Sequence, residues 1–142
     1  MEEDLKKLYD EGKKAFGFYC GKGEWFLLTL KNIDFMSQML PDVSKASQSL
    51  DVSVLHTLIL EKIFGIDKEN MAKQINLTYT KFFTEAIDGV DKGEFQCSFV
   101  LNPTRVTEIR DVAAAGEKMP QKSTYFYPKM ITGMVMNNLG VD

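Results

Sequence analysis

The sequence predicts a single α+β domain with a central mixed sheet and helices packed on it. Three observations lead to this prediction: the chain has 142 residues, 44% of them are hydrophobic, and glycine-bounded strand and helix patterns follow one another along it. Domains most often contain about 100–150 residues, so we expect one domain over residues 1–142. The hydrophobic fraction is typical of globular proteins and not of disordered chains.

The N-terminal part of the chain predicts a short helix and then a β-hairpin. Residues 1–14 alternate acidic and basic side chains around a few apolar ones, which is typical of an exposed helix. Residues 16–20 alternate with the period of a strand, and the glycines at 21 and 23 favour a turn. Residues 25–30 are apolar on both faces, so we expect this second strand to lie in the interior of the sheet.

The middle of the chain contains the clearest helical pattern. A polar connection over residues 32–50 carries Met36 and Met39, which we expect to fill gaps at the core. Residues 51–64 then repeat apolar side chains at helical spacing, with Asp51 as N-cap and Gly65 just beyond the end. Because most sides of this helix are apolar, we expect it to be central or covered by a partner.

Strands and helices alternate in the C-terminal half of the chain. The predicted order is a strand over residues 75–79, a helix from Thr80 or Lys81 to Gly93, a strand over residues 95–101, a helix that begins at Asn102 and Pro103 and ends at Gly116, and a strand over residues 134–139. Such alternation favours a crossover connection between parallel strands, which is why we expect the sheet to be mixed.

Composition and charge argue against several classes of function. The formal net charge of -3 gives no basic surface of the kind that binds duplex nucleic acid. No apolar run reaches the roughly 18–20 residues of a membrane span, and the charged first residues do not resemble a secretory signal. We therefore expect a cytoplasmic protein with neither a nucleic acid nor a membrane as partner.

Cysteine and histidine usage argue against metal chemistry. Cys20 and Cys97 occupy apolar strand positions, so we expect both to be reduced and largely buried. With one histidine and no closely spaced cysteine pair, the sequence predicts no metal site. It contains neither a phosphate-binding loop of the P-loop type nor a dinucleotide fingerprint, and it identifies no cofactor.

The single histidine, His56, lies at the border of the apolar stripe of the central helix. In a functional role it would act as a general base or hold a phosphate. In a structural role its ring would pack half-buried, with one nitrogen bonded to a backbone group. The sequence leaves both interpretations open.

The most distinctive segment is the loop over residues 116–129. Pro120 and Pro128 each restrict the residue before them, which makes the loop stiff. The loop lies in a stretch, residues 103–129, with five basic residues against three acidic ones. A stiff loop rich in donors is typical of a site for a small anion, and the alternative is a connection whose lysines are solvated. The candidate binding residues in the loop are Lys118, Lys122, Ser123, Thr124 and Tyr125.

Three runs of sequence resemble one known family. Residues 100–104 and 112–129, together with the earlier residues 50–56, resemble the C-terminal end of the domain of unknown function 1015 family, and the similarity covers residues 16–139. Members of that family are much longer cytoplasmic proteins of bacteria and archaea. The resemblance implies that this chain is the C-terminal part of a longer protein, whose N-terminal part would be a partner.

Two functions follow as expectations. In the first, the loop and His56 form one wall of a site for a phosphorylated or carboxylated small molecule, with phosphoryl transfer as the reaction. The absent N-terminal part would supply carboxylates for acid–base chemistry or for magnesium. In the second, the chain is a non-catalytic module that packs on that N-terminal part or on another copy. Whether Lys122, Ser123 and Tyr125 converge on one cleft distinguishes the two.

Overall fold

A computed structural model describes residues 1–125 of the chain. The elements are α1 (Glu2–Asp10), β1 (Ala15–Tyr19), β2 (Trp25–Thr29), α2 (Asp34–Met39), α3 (Lys45–Gln48), α4 (Asp51–Val54) with a π-helical continuation (Leu55–Glu61), α5 (Lys68–Lys73), α6 (Phe83–Asp91), β3 (Ser98–Val100) and α7 (Val106–Ala114). The predicted α+β class is confirmed. The strand predicted over residues 134–139 lies outside the described residues.

The three strands form one sheet in the order β2-β1-β3, and both pairings are antiparallel. The described part of the sheet therefore contains no parallel pair and is not mixed. The strand predicted over residues 75–79 does not form. Gln74 and Asn76 have φ angles of 54° and 58°, in the left-handed region, whereas a strand requires an extended backbone. Without this strand, the parallel crossover that we expected there is missing as well.

Helices cover both faces of the sheet. On one face, Phe16 of β1 is buried in the main core together with Met36 of α2 and side chains of the π-helical continuation. On the other face α1 packs over Gly17, where an added Cβ would lie 3.4 Å from both Leu5 Cδ1 and Val100 Cβ. Glycine at this position therefore gives the sheet the flat surface on which Leu5 rests.

A second, smaller core lies between α4 and α7. Its buried members are Leu50, Val52 and Val112, and Met119 packs against them. Met119 belongs to the loop that follows α7, so this contact attaches the loop to the body of the fold.

The helix predicted over residues 51–64 forms, but it is not regular. After α4 its hydrogen bonds change to the wider π-helical pattern over Leu55–Glu61. Asp51 is the first helical residue and not the N-cap, and its buried carboxylate forms an ion pair with the Lys14 ammonium at 2.9 Å. Gly65 follows the helix with a φ of 69°, as expected of a residue just beyond a helix end.

Two elements near the end of the described chain are shorter than predicted. β3 contains only the residues that pair with β1, Ser98–Val100. Helix α7 begins at Val106 and not at Asn102, because the Glu108 carboxylate accepts a hydrogen bond from the Arg105 N–H at 2.9 Å and so closes the first turn. The Asn102 side chain instead donates to the Leu5 carbonyl at 3.1 Å.

The prediction that both cysteines are largely buried is wrong. Both are free thiols, but Cys20 is exposed and Cys97 is half-buried. Cys20 lies just beyond the last pair of β1 and β2, Tyr19 with Trp25, where the hairpin turns into solvent. Partial burial raises the pKa of the Cys97 thiol.

We expect Met36→Ala to lower the free energy of unfolding by about 2–5 kcal/mol, because it empties a space in the main core. Met36 is 0% exposed, whereas Met39 in the same helix is 40% exposed. Met39→Ala is the matched control and should change stability by no more than about 0.5 kcal/mol. Urea unfolding followed by circular dichroism measures both variants, and equal losses would contradict the placement of α2.

Candidate functional site

The described part of the loop, up to Tyr125, begins at Glu117, which is anchored to α3. The Glu117 carboxylate accepts hydrogen bonds from the Ser44 N–H at 2.6 Å, from the Ser44 hydroxyl at 2.8 Å and from the Ser47 hydroxyl. These bonds favour the ionised carboxylate and so lower the pKa of Glu117. The start of the loop is thereby fixed to a helix that lies more than sixty residues earlier in the chain.

A tight turn over residues 120–123 shapes the middle of the loop. The Pro120 carbonyl accepts hydrogen bonds from the Ser123 N–H at 3.3 Å and from the Ser123 hydroxyl at 2.6 Å. The Ser123 carbonyl accepts another from the Thr104 hydroxyl at 2.9 Å. The hydroxyl proton of Ser123 is therefore used inside the loop, where it holds the turn.

Lys122 occupies the third position of this turn with a φ of 60°, in the left-handed region. A residue other than glycine in such a sparsely populated conformation costs about 1–3 kcal/mol and persists only where its surroundings impose it. Here the bonds of Ser123 to Pro120 and Thr104 impose it. The side chain of Lys122 is exposed, as are those of Lys118 and Thr124.

The end of the described loop is joined to Lys81, a residue that no sequence pattern marks as part of a site. The Lys81 ammonium donates to the Tyr125 hydroxyl at 2.7 Å and lies 4.2 Å from the centre of the Tyr125 ring. It also lies 4.9 Å from the centre of the Phe82 ring. No local pattern reveals this contact, because the two residues are 44 positions apart.

The ammonium groups at the loop have no carboxylate partner among residues 1–125, as is true of most lysines in this part of the chain. The ion pairs formed there include Lys14 with Asp51 and Arg105 with Asp10, but none includes Lys81, Lys118 or Lys122. Uncompensated positive charge attracts small anions. The loop is thus a fixed backbone that carries exposed positive charge on an acidic protein.

The structure does not join His56 to this loop. His56 lies half-buried in the π-helical continuation, with Nε2 3.5 Å from the Tyr79 hydroxyl and the two rings edge to face. Burial lowers the pKa of His56, so its imidazole is neutral at pH 7. Among the described residues, no hydrogen bond links it to any of the loop residues.

Residues 1–125 contain no cluster of three or more His, Cys, Asp or Glu side chains that could hold a metal ion. In the same part of the chain, no helix is long and apolar enough to cross a membrane. Comparison with family models, with curated proteins and with solved structures finds no match. The family resemblance of the sequence and the length of the intact protein therefore stay predictions.

We expect Glu117→Gln to lower stability at neutral pH, because the amide is a weaker acceptor than the carboxylate for the Ser44 and Ser47 donors. The pKa of Glu117 is lower in the folded protein, so the carboxylate stabilises the fold fully above its ordinary pKa of about 4.5. That contribution is lost as the pH falls through the lowered pKa.

The difference in urea midpoint between the original chain and Glu117→Gln should therefore shrink as the pH falls from 7 to 3. Glu94→Gln is a suitable control, since Glu94 is exposed and forms none of the side-chain hydrogen bonds found among residues 1–125. A difference for Glu117→Gln that stays constant over this pH range would show that the charge of Glu117 does not anchor the loop.

Proposed function

We propose that this chain binds a small phosphorylated or carboxylated molecule at the loop over residues 117–125. The observation that carries the proposal is Lys122, an exposed lysine in a left-handed turn where glycine would be free of strain. Strained residues of this kind concentrate at binding and catalytic sites, where a side chain is required in spite of its backbone.

The charges around the turn favour an anion as the ligand. Lys122, Lys118 and Lys81 have no carboxylate partner among the described residues, and Tyr125 holds the Lys81 ammonium by a hydrogen bond and by its ring. Hydrogen bonds between an ammonium and a phosphate or carboxylate are charge-assisted and therefore stronger than neutral ones. In this proposal Lys122 and Lys81 contact the anion, Thr124 offers a hydroxyl, and Ser123 shapes the turn.

Phosphoryl transfer is the reaction that we propose for the intact protein. The described loop supplies positive charge, which stabilises a phosphoryl group in the transition state. Carboxylates for acid–base chemistry or magnesium would come from the N-terminal part that the sequence resemblance implies. We also propose a cytoplasmic location, supported by two cysteines that are both free thiols.

The decisive variant is Lys122→Gly, which removes the ammonium and the backbone strain together. We expect it to leave the free energy of unfolding unchanged or to raise it by up to about 1 kcal/mol. We expect it to weaken binding of inorganic pyrophosphate, a simple probe of phosphate recognition, by at least about tenfold, which equals about 1.4 kcal/mol. Isothermal titration at low salt and urea unfolding measure the two effects.

Two controls separate charge from conformation. Lys122→Arg keeps the positive charge in the same backbone and should retain most of the binding. Lys68→Ala removes a positive charge from the start of α5, and it should leave pyrophosphate affinity unchanged. If Lys122→Gly binds pyrophosphate as well as the original chain does, the loop is not the anion site.

A further inference from the structure

Strand β2 is only partly covered on each face of the sheet, although helices pack on both faces. The sequence predicts an interior strand here, yet the order β2-β1-β3 makes β2 an edge of the described sheet. Phe26, on one face, is 51% exposed, and Leu27, on the other, is 39% exposed. A strand that is apolar on both sides is normally covered on both sides.

The pairing of β2 with β1 determines which backbone groups face outward. The Leu30 N–H bonds to the Lys14 carbonyl and the Cys20 N–H bonds to the Glu24 carbonyl, so the even-numbered residues of β2 bond to β1. In an antiparallel pair the bonded residues alternate with non-bonded ones. The N–H and carbonyl groups of Trp25, Leu27 and Thr29 therefore point away from β1, and they have no backbone partner among residues 1–125.

Nothing within β2 blocks the approach of another strand. Natural edge strands are usually protected by a lysine, a proline, a bulge or a covering segment. Trp25–Thr29 contains no charge and no proline, and its register with β1 continues without a bulge. The residues that flank this uncharged run are Glu24 before it and Lys31 two positions after it.

An aromatic row ends at this same edge. The rings of Phe26, Phe18 and Phe99 lie side by side across the three strands, with centroids 6.1 Å and 5.0 Å apart. Phe64 packs against Phe99 edge to face at 5.8 Å. An added strand at β2 would extend this row and remove Phe26 from water.

We propose that two copies of this chain pair through β2, antiparallel, with the two-fold axis at Leu27. A two-fold axis perpendicular to the sheet places the aromatic face of both copies on the same side of the combined sheet. Leu27 then lies opposite Leu27 of the second copy, and Trp25 lies opposite Thr29. These are the residues whose backbone N–H and carbonyl groups point outward, so each of these groups gains a hydrogen-bond partner. The two three-stranded sheets become one sheet of six strands.

Charge and side-chain packing favour this antiparallel arrangement of two copies. At each end of the paired strands, Glu24 of one copy lies near Lys31 of the other. A parallel arrangement would instead bring like charges together. On the aromatic face the antiparallel arrangement sets Phe26 opposite Leu28 of the second copy. Such apolar pairs across strands stabilise a sheet.

Cysteine cross-linking tests both the pairing and its register, in the 142-residue chain with Cys20 and Cys97 replaced by serine. In this register the two Leu27 Cα atoms lie about 5.5 Å apart, within the range of a disulfide. Leu27→Cys should therefore form a covalent dimer on mild oxidation. Thr29→Cys is the matched control, since the two Thr29 Cα atoms lie about 14 Å apart and should not cross-link.

Sedimentation equilibrium provides the second measurement. We expect the original chain to be dimeric at high micromolar concentration and Leu27→Lys to be monomeric, because a lysine protects an edge strand. Phe35→Lys, at another exposed apolar position in α2, should stay dimeric. Circular dichroism melts confirm that both variants fold, and the cross-linking result does not depend on them.

Three outcomes would overturn the proposal. One is a 142-residue chain that stays monomeric at every concentration, even if a chain truncated after Tyr125 does dimerise. That case would show that residues 126–142 of the same chain occupy the edge. The second is a dimer that Leu27→Lys leaves intact, and the third is equal cross-linking of the Leu27 and Thr29 cysteine variants.

Discussion

The buried ion pair between Lys14 and Asp51 lies where three helices meet the start of β1. The Lys14 ammonium lies 2.9 Å from Asp51 Oδ1 and 3.7 Å from Glu108 Oε1, so one cation at the start of β1 contacts α4 and α7. Glu108 also accepts a hydrogen bond from the Tyr9 hydroxyl of α1 at 2.6 Å. Burial raises the pKa of Asp51, which shows that desolvation outweighs the attraction of Lys14. Separating such a pair would leave a buried charge without a partner, which disfavours other arrangements of these four elements.

The loop depends on this arrangement, because α7 carries it to its anchoring points. Once α7 is placed, Glu117 reaches the serines of α3 and Met119 reaches the small core. Two of the five candidate residues of the loop then turn out to have partners within the fold: the Ser123 hydroxyl donates inside the turn, and the Tyr125 hydroxyl accepts from Lys81. Lys118 and Lys122 remain exposed. Lys122, Ser123 and Tyr125 therefore do not converge on one cleft, which favours a structural role for the loop, and the proposed anion site depends on its exposed lysines.

The sequence predicts features that are local and misses those that depend on distant contacts. Gly65, Gly93 and Gly116 all follow their helices with positive φ, because a helix end is decided within one turn. The alternation at residues 75–79 suggests a strand, but a pattern of apolar residues does not reveal the left-handed backbone conformation of Asn76. The sequence pattern also misplaces the start of α7, since the Asn102 side chain donates to the Leu5 carbonyl of α1 and does not cap α7. Lys81 was missed because Tyr125, which defines its role, is far away in the chain.

Strand β2 shows how sequence and structure together point beyond the described residues. Its composition is that of a strand with neighbours on both sides, while its position is that of an edge. The apolar composition of β2 is typical of a strand that is covered on both sides. Its position in the sheet shows only the contacts formed within one copy of residues 1–125. The two agree when a further strand lies against Trp25, Leu27 and Thr29, whose backbone groups are spaced to receive it. An apolar edge without a protecting charge is a liability for a chain that stays alone, because any exposed strand can pair with it. Pairing with a second copy would satisfy the exposed backbone groups of β2 and so protect this edge from nonspecific pairing.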